Sequence, residues 1–392
     1  MEALLGREGW QVTVLDGTDA WPEGETFDLC ATSPGIPLDH PWQKRARELG
    51  IPVVGELQLG AERWRSMGGR MLAVTGSKGK SSVVKLVAAG LQGIPCGNYG
   101  KPLCEVVNDF SQPSQHSQHS QHLLPWAVVE VSSFQMETTE LSSDAFVAAA
   151  VLNLQEDHLD RHGSVDVYHG LKLKLLCMAS TAIRGDEIEK NYSPNCQSAT
   201  RDAQLFSGSY FDNPILRTNG LCAIGLMRAA GLPEAEIARA FAEFEPLPHR
   251  MQTVGVRGGV RYVDDSKATS LAALAAGVVM AGERVRLIAG GLPKGDDPKS
   301  VIPPLRTRVK KVYLIGCCAD QFFKAWQNAV PCEICETLDC AVEAARRDAV
   351  AGETVLLSPG TASFDQFKSY GARGDKFASL VCARTEQVDG NH

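Results

Sequence analysis

The chain has 392 residues, a formal net charge of -7, 44% hydrophobic and 22% charged residues. This length exceeds what one hydrophobic core usually spans and predicts two or three domains, and the composition argues against a disordered chain. The net negative charge argues against a general nucleic-acid-binding surface. The sequence has no long apolar run and no signal-peptide pattern at its first residues, so we expect a cytoplasmic protein with no membrane partner.

Apolar strand-like runs alternate with helical patterns through most of the chain, which predicts an α/β fold of βαβ units with parallel sheets. Near the start, strands are predicted over 11–15 (QVTVL) and 27–31 and a helix over 41–49. The chain opens on what looks like the second half of a helix, with no strand or glycine-rich turn before it. We interpret residues 1–69 as a truncated Rossmann-like domain, ending where 61–69 turns polar.

The central part begins with a predicted strand over 71–74 that leads into TGSKGKSS at 75–82 and an apolar helix over 80–91. Strands follow over 126–131 and 145–152. The repeat at 111–122 (SQPSQHSQHSQH) is interpreted as a surface insertion and not as a metal site. No element is predicted over 178–214, and a helix is predicted over 221–231. We assign 70–247 to a central P-loop-type ATP-binding domain with a mostly parallel sheet.

The last part repeats the βα pattern after Pro246-Leu247-Pro248, with strands predicted near 260–263, 284–289, 311–315 and 354–357. We assign 248–392 to a C-terminal Rossmann-like domain. The twelve cysteines are scattered along the chain and are expected to be reduced thiols. Cys332 and Cys335 have CxxC spacing without a second pair, and we interpret them as small buried residues.

The segment TGSKGKSS has the features of a phosphate loop. Gly76 and Gly79 permit a tight turn whose N–H groups face a phosphate chain, while Lys80 supplies charge and Ser81 a hydroxyl for Mg²⁺. The spacing is not the full GxxxxGKS, but a strand precedes and a helix follows it. Nucleotide binding is therefore predicted for the following residues: Gly76, Ser77, Lys78, Gly79, Lys80, Ser81 and Ser82.

Acidic residues follow two of the central strands. Glu130 ends one strand, and Glu156-Asp157-His158 follow the next, so both groups should lie at carboxyl ends of strands beside the phosphate loop. Each alone is more typical of a surface carboxylate. Together, behind a phosphate loop, they predict metal and nucleotide roles.

Five motifs, in this order and spacing, resemble those of the Mur ligase family. They are TGSKGKSS at 75–82, VEVSSFQMETT at 129–139, LNLQEDHLDRHG at 152–163, LPHR at 247–250 and DDSKATS at 264–270. The block LLSPGTASFDQFKSYGARGDKF at 356–377 is similar to the branch that adds D-glutamate. The resemblance implies ATP-dependent joining of D-glutamate to UDP-N-acetylmuramoyl-L-alanine through an acyl phosphate, in peptidoglycan synthesis.

The resemblance also implies a metal and nucleotide site. Ser81 and Glu130 would hold one Mg²⁺ and His158 a second. Lys172 stands where the family carries a carbamylated lysine. A free amine with a pKa near ~10.4 would repel Mg²⁺, whereas a carbamate offers an oxygen ligand. Lys174 is the alternative for this position. The residues implied to neutralise or bind ATP are Lys80, Arg250, Asp265 and Lys267.

The substrate residues that the resemblance implies fall into two groups. Those for the nucleotide sugar are Ser33, Asn98, Ser132 and Gln135, with residues 1–69 as its UDP-binding domain. Those for D-glutamate are Thr269, Lys294, Ser363 and Tyr370, where Lys294 offers a cation to a carboxylate. The protein is expected to act as a monomer on these small molecules.

The sequence also departs from the family pattern. Lys78 replaces the usual Asn, Tyr370 the usual Phe, and the adenine motif is reduced to LRTNG at 216–220, which leaves Asn219 as an off-register candidate. Two alternatives therefore stay open beside the D-glutamate ligase. One is a related ligase that acts on a folate or peptide carboxylate, and the other is a nucleotide-binding paralogue without activity.

Overall fold

The computed structural model describes residues 1–17, 19–111, 124–186, 188, 197–198 and 202–383. All but the first residue of the predicted insertion at 111–122 lies outside this part of the chain. Two compact units are present, Met1–Asp212 with Leu216–Phe244 and Asn213–Ile215 with Glu245–His392. The fold is α/β, with parallel pairing in three sheets, as the sequence predicted. The proposed boundaries after residues 69 and 247 stay predictions.

The first unit contains one small and one large parallel sheet. Its helices are α1 (Glu2–Arg7), α2 (Pro41–Glu48), α3 (Glu56–Ser66), α4 (Lys80–Leu91), α5 (Leu103–Phe110), α6 (Ser133–Met136), α7 (Leu159–His162), α8 (Val165–Lys174), α9 (Arg217–Ala229) and α10 (Glu234–Ala242). Its strands are β1 (Cys30–Thr32), β2 (Val53–Gly55), β3 (Met71–Thr75), β4 (Ile94–Gly97), β5 (Ala127–Glu130), β6 (Phe146–Val151), β7 (Ala179–Arg184) and β8 (Gln197–Ser198). The small sheet pairs β1 with β2, and the large sheet has the order β4-β5-β3-β6-β7-β8.

One predicted strand near the start of the chain is wrong. Residues 11–15 have no strand structure, although Val12 and Val14 alternate with polar residues. A strand needs a neighbour that supplies N–H and C=O groups, and β1 pairs with β2 and not with this segment. Val14 is accordingly 56% exposed. The segment instead forms one wall of a cavity of about 360 Å³ between residues 1 and 43.

The centre of the large sheet follows the prediction closely. β3 is buried along its whole length, and α4 has the predicted bounds, because a fully apolar strand followed by glycines and a helix is a strong local signal. Several elements of this unit were not predicted, and two of them are instructive. α3 continues to Ser66 through the stretch interpreted as a boundary, with Trp64 buried, and β7 lies within 178–214, where only Ile183 and Arg184 of the strand are buried.

The second unit has a single six-stranded sheet. Its strands are β9 (Gln252–Arg257), β10 (Val260–Asp264), β11 (Val285–Gly290), β12 (Val309–Ile315), β13 (Cys332–Glu336) and β14 (Thr354–Leu357). Its helices are α11 (Leu271–Ala281), α12 (Ile302–Arg308), α13 (Ala319–Trp326), α14 (Leu338–Asp348) and α15 (Tyr370–Cys382). The strand order is β13-β12-β11-β14-β10-β9, with only β9 antiparallel to its neighbour.

This strand order determines which loops meet in the second unit. β14 lies between β10 and β11, with Leu357 in register with Asp264 on one side and Ile288 on the other. The loops that follow these three strands therefore leave the same edge of the sheet, where open α/β sheets bind ligands. Among the helices that the structure describes, none is both long and apolar enough to cross a membrane.

Candidate active site

The phosphate loop turns sharply between β3 and α4. Gly76 has φ 150° and Gly79 has φ 86°, values that a residue with a side chain rarely adopts. A Cβ on Gly79 would lie 2.0 Å from Nδ2 of Asn219. The loop ends at the first N–H groups of the 12-residue α4, where unpaired N–H groups and the helix dipole favour negative charge.

Two lysines converge on this loop. Nζ of Lys80 donates to the carbonyl oxygens of Gly76 (2.8 Å) and Ser77 (3.3 Å). Nζ of Lys172, on α8, donates to the same Gly76 oxygen at 2.9 Å, and Lys172 is only 1% exposed. Burial, aided by the charge of Lys80, lowers the pKa of Lys172 to about 7. Lys174 instead pairs with Glu140 at the surface.

The loop is held by residues that the sequence analysis missed. Asn153, two residues after β6, accepts from the Lys78 N–H and donates to the Lys78 carbonyl, both at 2.9 Å. It also donates to Oδ1 of Asn219 at 3.3 Å, so Asn219 is buried against the loop. The Tyr168 hydroxyl lies 3.1 Å from Oγ of Ser77. The position of Asn153 beside the acidic triplet was the available signal.

Glu130 is the last residue of β5. It is in register with Val74 of β3, and Val74 directly precedes Thr75, where the phosphate loop begins. Glu130 is 2% exposed, and its Oε1 accepts from Nδ2 of Asn98 at 2.7 Å. Oε2 is buried without a hydrogen-bond partner among the described residues. A buried carboxylate oxygen without a donor is costly, and this oxygen therefore fits a cation.

The other predicted metal residues are less constrained. His158 is the N-cap residue just before α7 and has a left-handed conformation (φ 52°), with its side chain 48% exposed and its ring 5.0 Å from that of Phe134. Ser81 is the second residue of α4 and partly exposed. No group of three or more His, Cys, Asp or Glu side chains forms a metal site within the described chain. A metal here would depend on Glu130 together with hydroxyl, imidazole or carbamate ligands.

The segment that follows β5 caps its own helix. Oγ of Ser132 accepts from the Gln135 N–H at 3.2 Å, and Oε1 of Gln135 accepts from the Ser132 N–H at 2.9 Å, which is a capping box. These two predicted substrate residues therefore also have a structural role. Ser33 lies on the wall of the cavity formed by residues 1–43.

A buried ion pair connects this region to the loop after β1. Arg161 donates to both carboxylate oxygens of Glu137, at 3.1 and 2.6 Å. The same guanidinium donates to the carbonyls of Gly35 and Ile36. Nδ1 of His162 lies 3.2 Å from Glu137, and burial lowers the pKa of this histidine.

In the second unit, Asp265 follows β10 and is nearly fully buried. The Ser358 hydroxyl donates to its Oδ2 at 2.8 Å, and the Met251 N–H donates to its Oδ1 at 3.3 Å. Burial raises the pKa of Asp265 to about 7, although the charge of Arg250 opposes this shift. Nearby, Nδ1 of His249 lies 2.7 Å from Oδ2 of Asp264.

The residues predicted for D-glutamate lie in the loops at the same edge. Nζ of Lys294 donates to Oγ1 of Thr269 at 3.3 Å. Nζ of Lys267 lies 3.9 Å from the ring centroid of Tyr370, a cation–π contact. Ser363 is only 2% exposed. The structure thus pairs Thr269 with Lys294 and Lys267 with Tyr370, whereas Ser363 lies beneath the surface.

Comparison with known families gives two matches. Residues 74–199 match the Mur ligase middle domain, and residues 249–360 match the Mur ligase glutamate ligase domain. The UDP-N-acetylmuramoylalanine--D-glutamate ligase of Acidobacterium capsulatum is 33% identical, over 91% of this chain and 82% of that protein. The enzymes of the same name from Chlamydia abortus (33%; 94% and 86%) and Frankia casuarinae (36%; 94% and 83%) are similarly related.

Solved structures share the fold at low sequence identity. The UDP-N-acetylmuramate-alanine ligase of Thermotoga maritima matches with a TM-score of 0.57 and 17% identity, over 97% of this chain and 90% of that one. A MurF ligase from the same organism, in complex with ADP, also has a TM-score of 0.57, at 12% identity over 86% and 90% of the two chains.

Proposed function

Since the chain belongs to the Mur ligase family, we propose that it adds D-glutamate to UDP-N-acetylmuramoyl-L-alanine at the expense of ATP, as a step in peptidoglycan synthesis. The agreement in this reaction among relatives at 33–36% identity, each covered over more than four fifths of its length, carries the assignment. We further propose that the protein acts in the cytoplasm as a monomer.

The chemistry of such a reaction matches the groups at the phosphate loop. Attack of a substrate carboxylate on the γ-phosphate of ATP brings two anions together, so positive charge and oriented N–H groups must neutralise them. Lys80 and the first N–H groups of α4 are proposed to bind the phosphates. Mg²⁺, when bound, would polarise the phosphoryl oxygens. Oε2 of Glu130, with the hydroxyl of Ser81, is proposed to hold it.

The substrate residues remain part of the proposal. The cavity lined by Ser33 offers space for part of the nucleotide sugar. The contact between Lys294 and Thr269 supports a site for a carboxylate, because an ammonium held by a hydroxyl keeps its charge available to an anion. Arg250, Asp265 and Lys267 are proposed to bind ATP, and the amine of D-glutamate would then convert the acyl phosphate to an amide.

A phosphate-release assay tests the proposal. Purified full-length protein with ATP and Mg²⁺ should release phosphate only when UDP-N-acetylmuramoyl-L-alanine and D-glutamate are both present. L-glutamate and a folate substrate serve as specificity controls. Phosphate release that requires the folate substrate and L-glutamate, and not the nucleotide sugar, would favour a different ligase. Binding of an ATP analogue by a folded protein that releases no phosphate would favour an inactive paralogue.

A further inference from the structure

We propose that Asn98 is a positioning residue for Glu130, which orients this carboxylate so that Oε2 remains available to a divalent cation. This inference rests on the proposed function, because it concerns the metal that the ligase reaction needs. Asn98 was predicted to bind substrate, and the positioning of Glu130 would be a second role, in the metal site.

The carboxylate of Glu130 is held asymmetrically. Nδ2 of Asn98 donates to Oε1 at 2.7 Å, whereas Oε2 is buried with no donor among the described residues. Glu130 is 2% exposed, so water has little access to either oxygen. A carboxylate with one oxygen held and the other unpaired has a defined direction in which it can accept a cation.

The backbone around Asn98 holds its amide in place. The N–H of Asn98 donates to the carbonyl of Glu130 at 2.9 Å, so main chain and side chain bind the same residue. Gly97 makes this approach possible, because it has φ 89° and a Cβ there would lie 2.4 Å from the Glu130 carbonyl oxygen. The Gly97 N–H in turn donates to the Lys101 carbonyl at 2.9 Å and closes the turn.

Two features separate this role from a substrate contact alone. An amide nitrogen has two hydrogens, so Asn98 can bind Glu130 and still reach a ligand. The hydrogen bond to Glu130, however, joins two residues of the protein and involves no substrate atom. Loss of the amide should therefore reduce cation affinity even when no nucleotide sugar is bound.

The test compares cation binding with nucleotide-sugar binding. The dissociation constant of Mn²⁺ is measured by electron paramagnetic resonance with the full chain and β,γ-imido-ATP, and that of UDP-N-acetylmuramoyl-L-alanine by calorimetry. Asn98→Ala should raise the Mn²⁺ constant about 10- to 100-fold, as loss of a hydrogen bond to a metal ligand typically does. Asn98→Leu, which keeps a side chain of similar size but has no donor, should raise it by a similar factor. Lys101→Ala, in the same turn and 56% exposed, is the matched control and should change it less than about twofold.

A double mutant distinguishes positioning from a general structural effect. If Asn98 acts through Glu130, adding Asn98→Ala to Glu130→Gln should weaken Mn²⁺ binding no further. Additive losses, or an unchanged Mn²⁺ constant in folded Asn98→Ala and Asn98→Leu, would overturn the proposal. A loss of nucleotide-sugar affinity alone would also overturn it. Because Mn²⁺ binding needs no turnover, these outcomes are distinguishable from a failure of the ligase assignment.

Discussion

Carbamylation of Lys172 can be predicted quantitatively from its surroundings. Carbon dioxide reacts only with a neutral amine: the nitrogen lone pair forms the C–N bond, a C=O electron pair moves to oxygen, and the amine releases a proton. Lys172 is 1% exposed, and burial together with the charge of Lys80 lowers its pKa to about 7. The neutral form is therefore available near physiological pH.

The size of the effect follows from this pKa. A lysine with a pKa of ~10.4 is roughly 0.04% neutral at pH 7, whereas a pKa of about 7 makes about half of the amine neutral, an enrichment of roughly a thousandfold. Because the pKa is lowered, the neutral fraction should rise from about a tenth at pH 6 to about nine tenths at pH 8. The initial rate of carbamylation at constant dissolved CO₂ should rise in parallel, because this rate depends on the concentration of neutral amine.

The assay is ¹³C NMR of the metal-free protein with labelled CO₂, held at a constant dissolved concentration while the pH is varied. We expect a carbamate signal separate from that of the α-amino group, and its initial rate of formation should reach half its maximum near pH 7. Lys174→Arg should keep the signal, because Lys174 pairs with Glu140 at the surface. Lys172→Arg should lose it. A signal that persists in Lys172→Arg, or no signal in the folded wild type at pH 8, would refute the reasoning.

Three further predictions follow from buried contacts. Gly79→Ala should weaken binding of an ATP analogue at least about tenfold by calorimetry, because its Cβ meets Asn219, and Asn219→Ala should restore part of this loss. Arg161→Ala should lower the urea unfolding free energy of the first unit by about 1–3 kcal/mol, because it removes two charge-assisted hydrogen bonds and leaves Glu137 with its contact to His162. Burial raises the pKa of Asp265 in the folded protein to about 7, so the stability that its protonated form contributes is complete below pH ~4 and is lost as the pH rises through 7. Asp265→Asn should therefore remove a pH dependence of the unfolding free energy of up to about 4 kcal/mol.

The Arg161 prediction has a control variant, and each of the three has an outcome that would contradict it. Arg45→Ala removes an exposed ion pair with Glu23 and should change stability by less than about 1 kcal/mol. Equal effects of Arg45→Ala and Arg161→Ala would contradict the role given to burial. Unweakened analogue binding by Gly79→Ala would contradict the loop geometry. A wild type and an Asp265→Asn variant with the same pH profile of unfolding would show that this carboxyl is not perturbed.

Local patterns in the sequence were sufficient for the phosphate loop and its flanking elements. β3 and α4 match their predicted bounds within one residue, and β14 matches fully, because an apolar strand followed by a glycine turn or helix is specified by fewer than about ten neighbouring residues. The family motifs likewise predicted site roles for Lys172, Glu130 and Asp265 from residue type and order, and these roles stay predictions. These conclusions required no knowledge of which distant segments meet.

The remaining features depended on contacts between distant segments. Residues 11–15 alternate like a strand but have no pairing partner, and only the packing of α8 brings Lys172, and not Lys174, to the loop. The hydrogen bond from Asn98 to Glu130 joins the ends of two strands 32 residues apart in the chain. The sequence by itself determined which residues are candidates for the site, although it missed Asn153 and Tyr168, because residue type and local periodicity are properties of short segments. The tertiary structure decided how they pair, because hydrogen bonds and burial depend on which strand ends lie side by side.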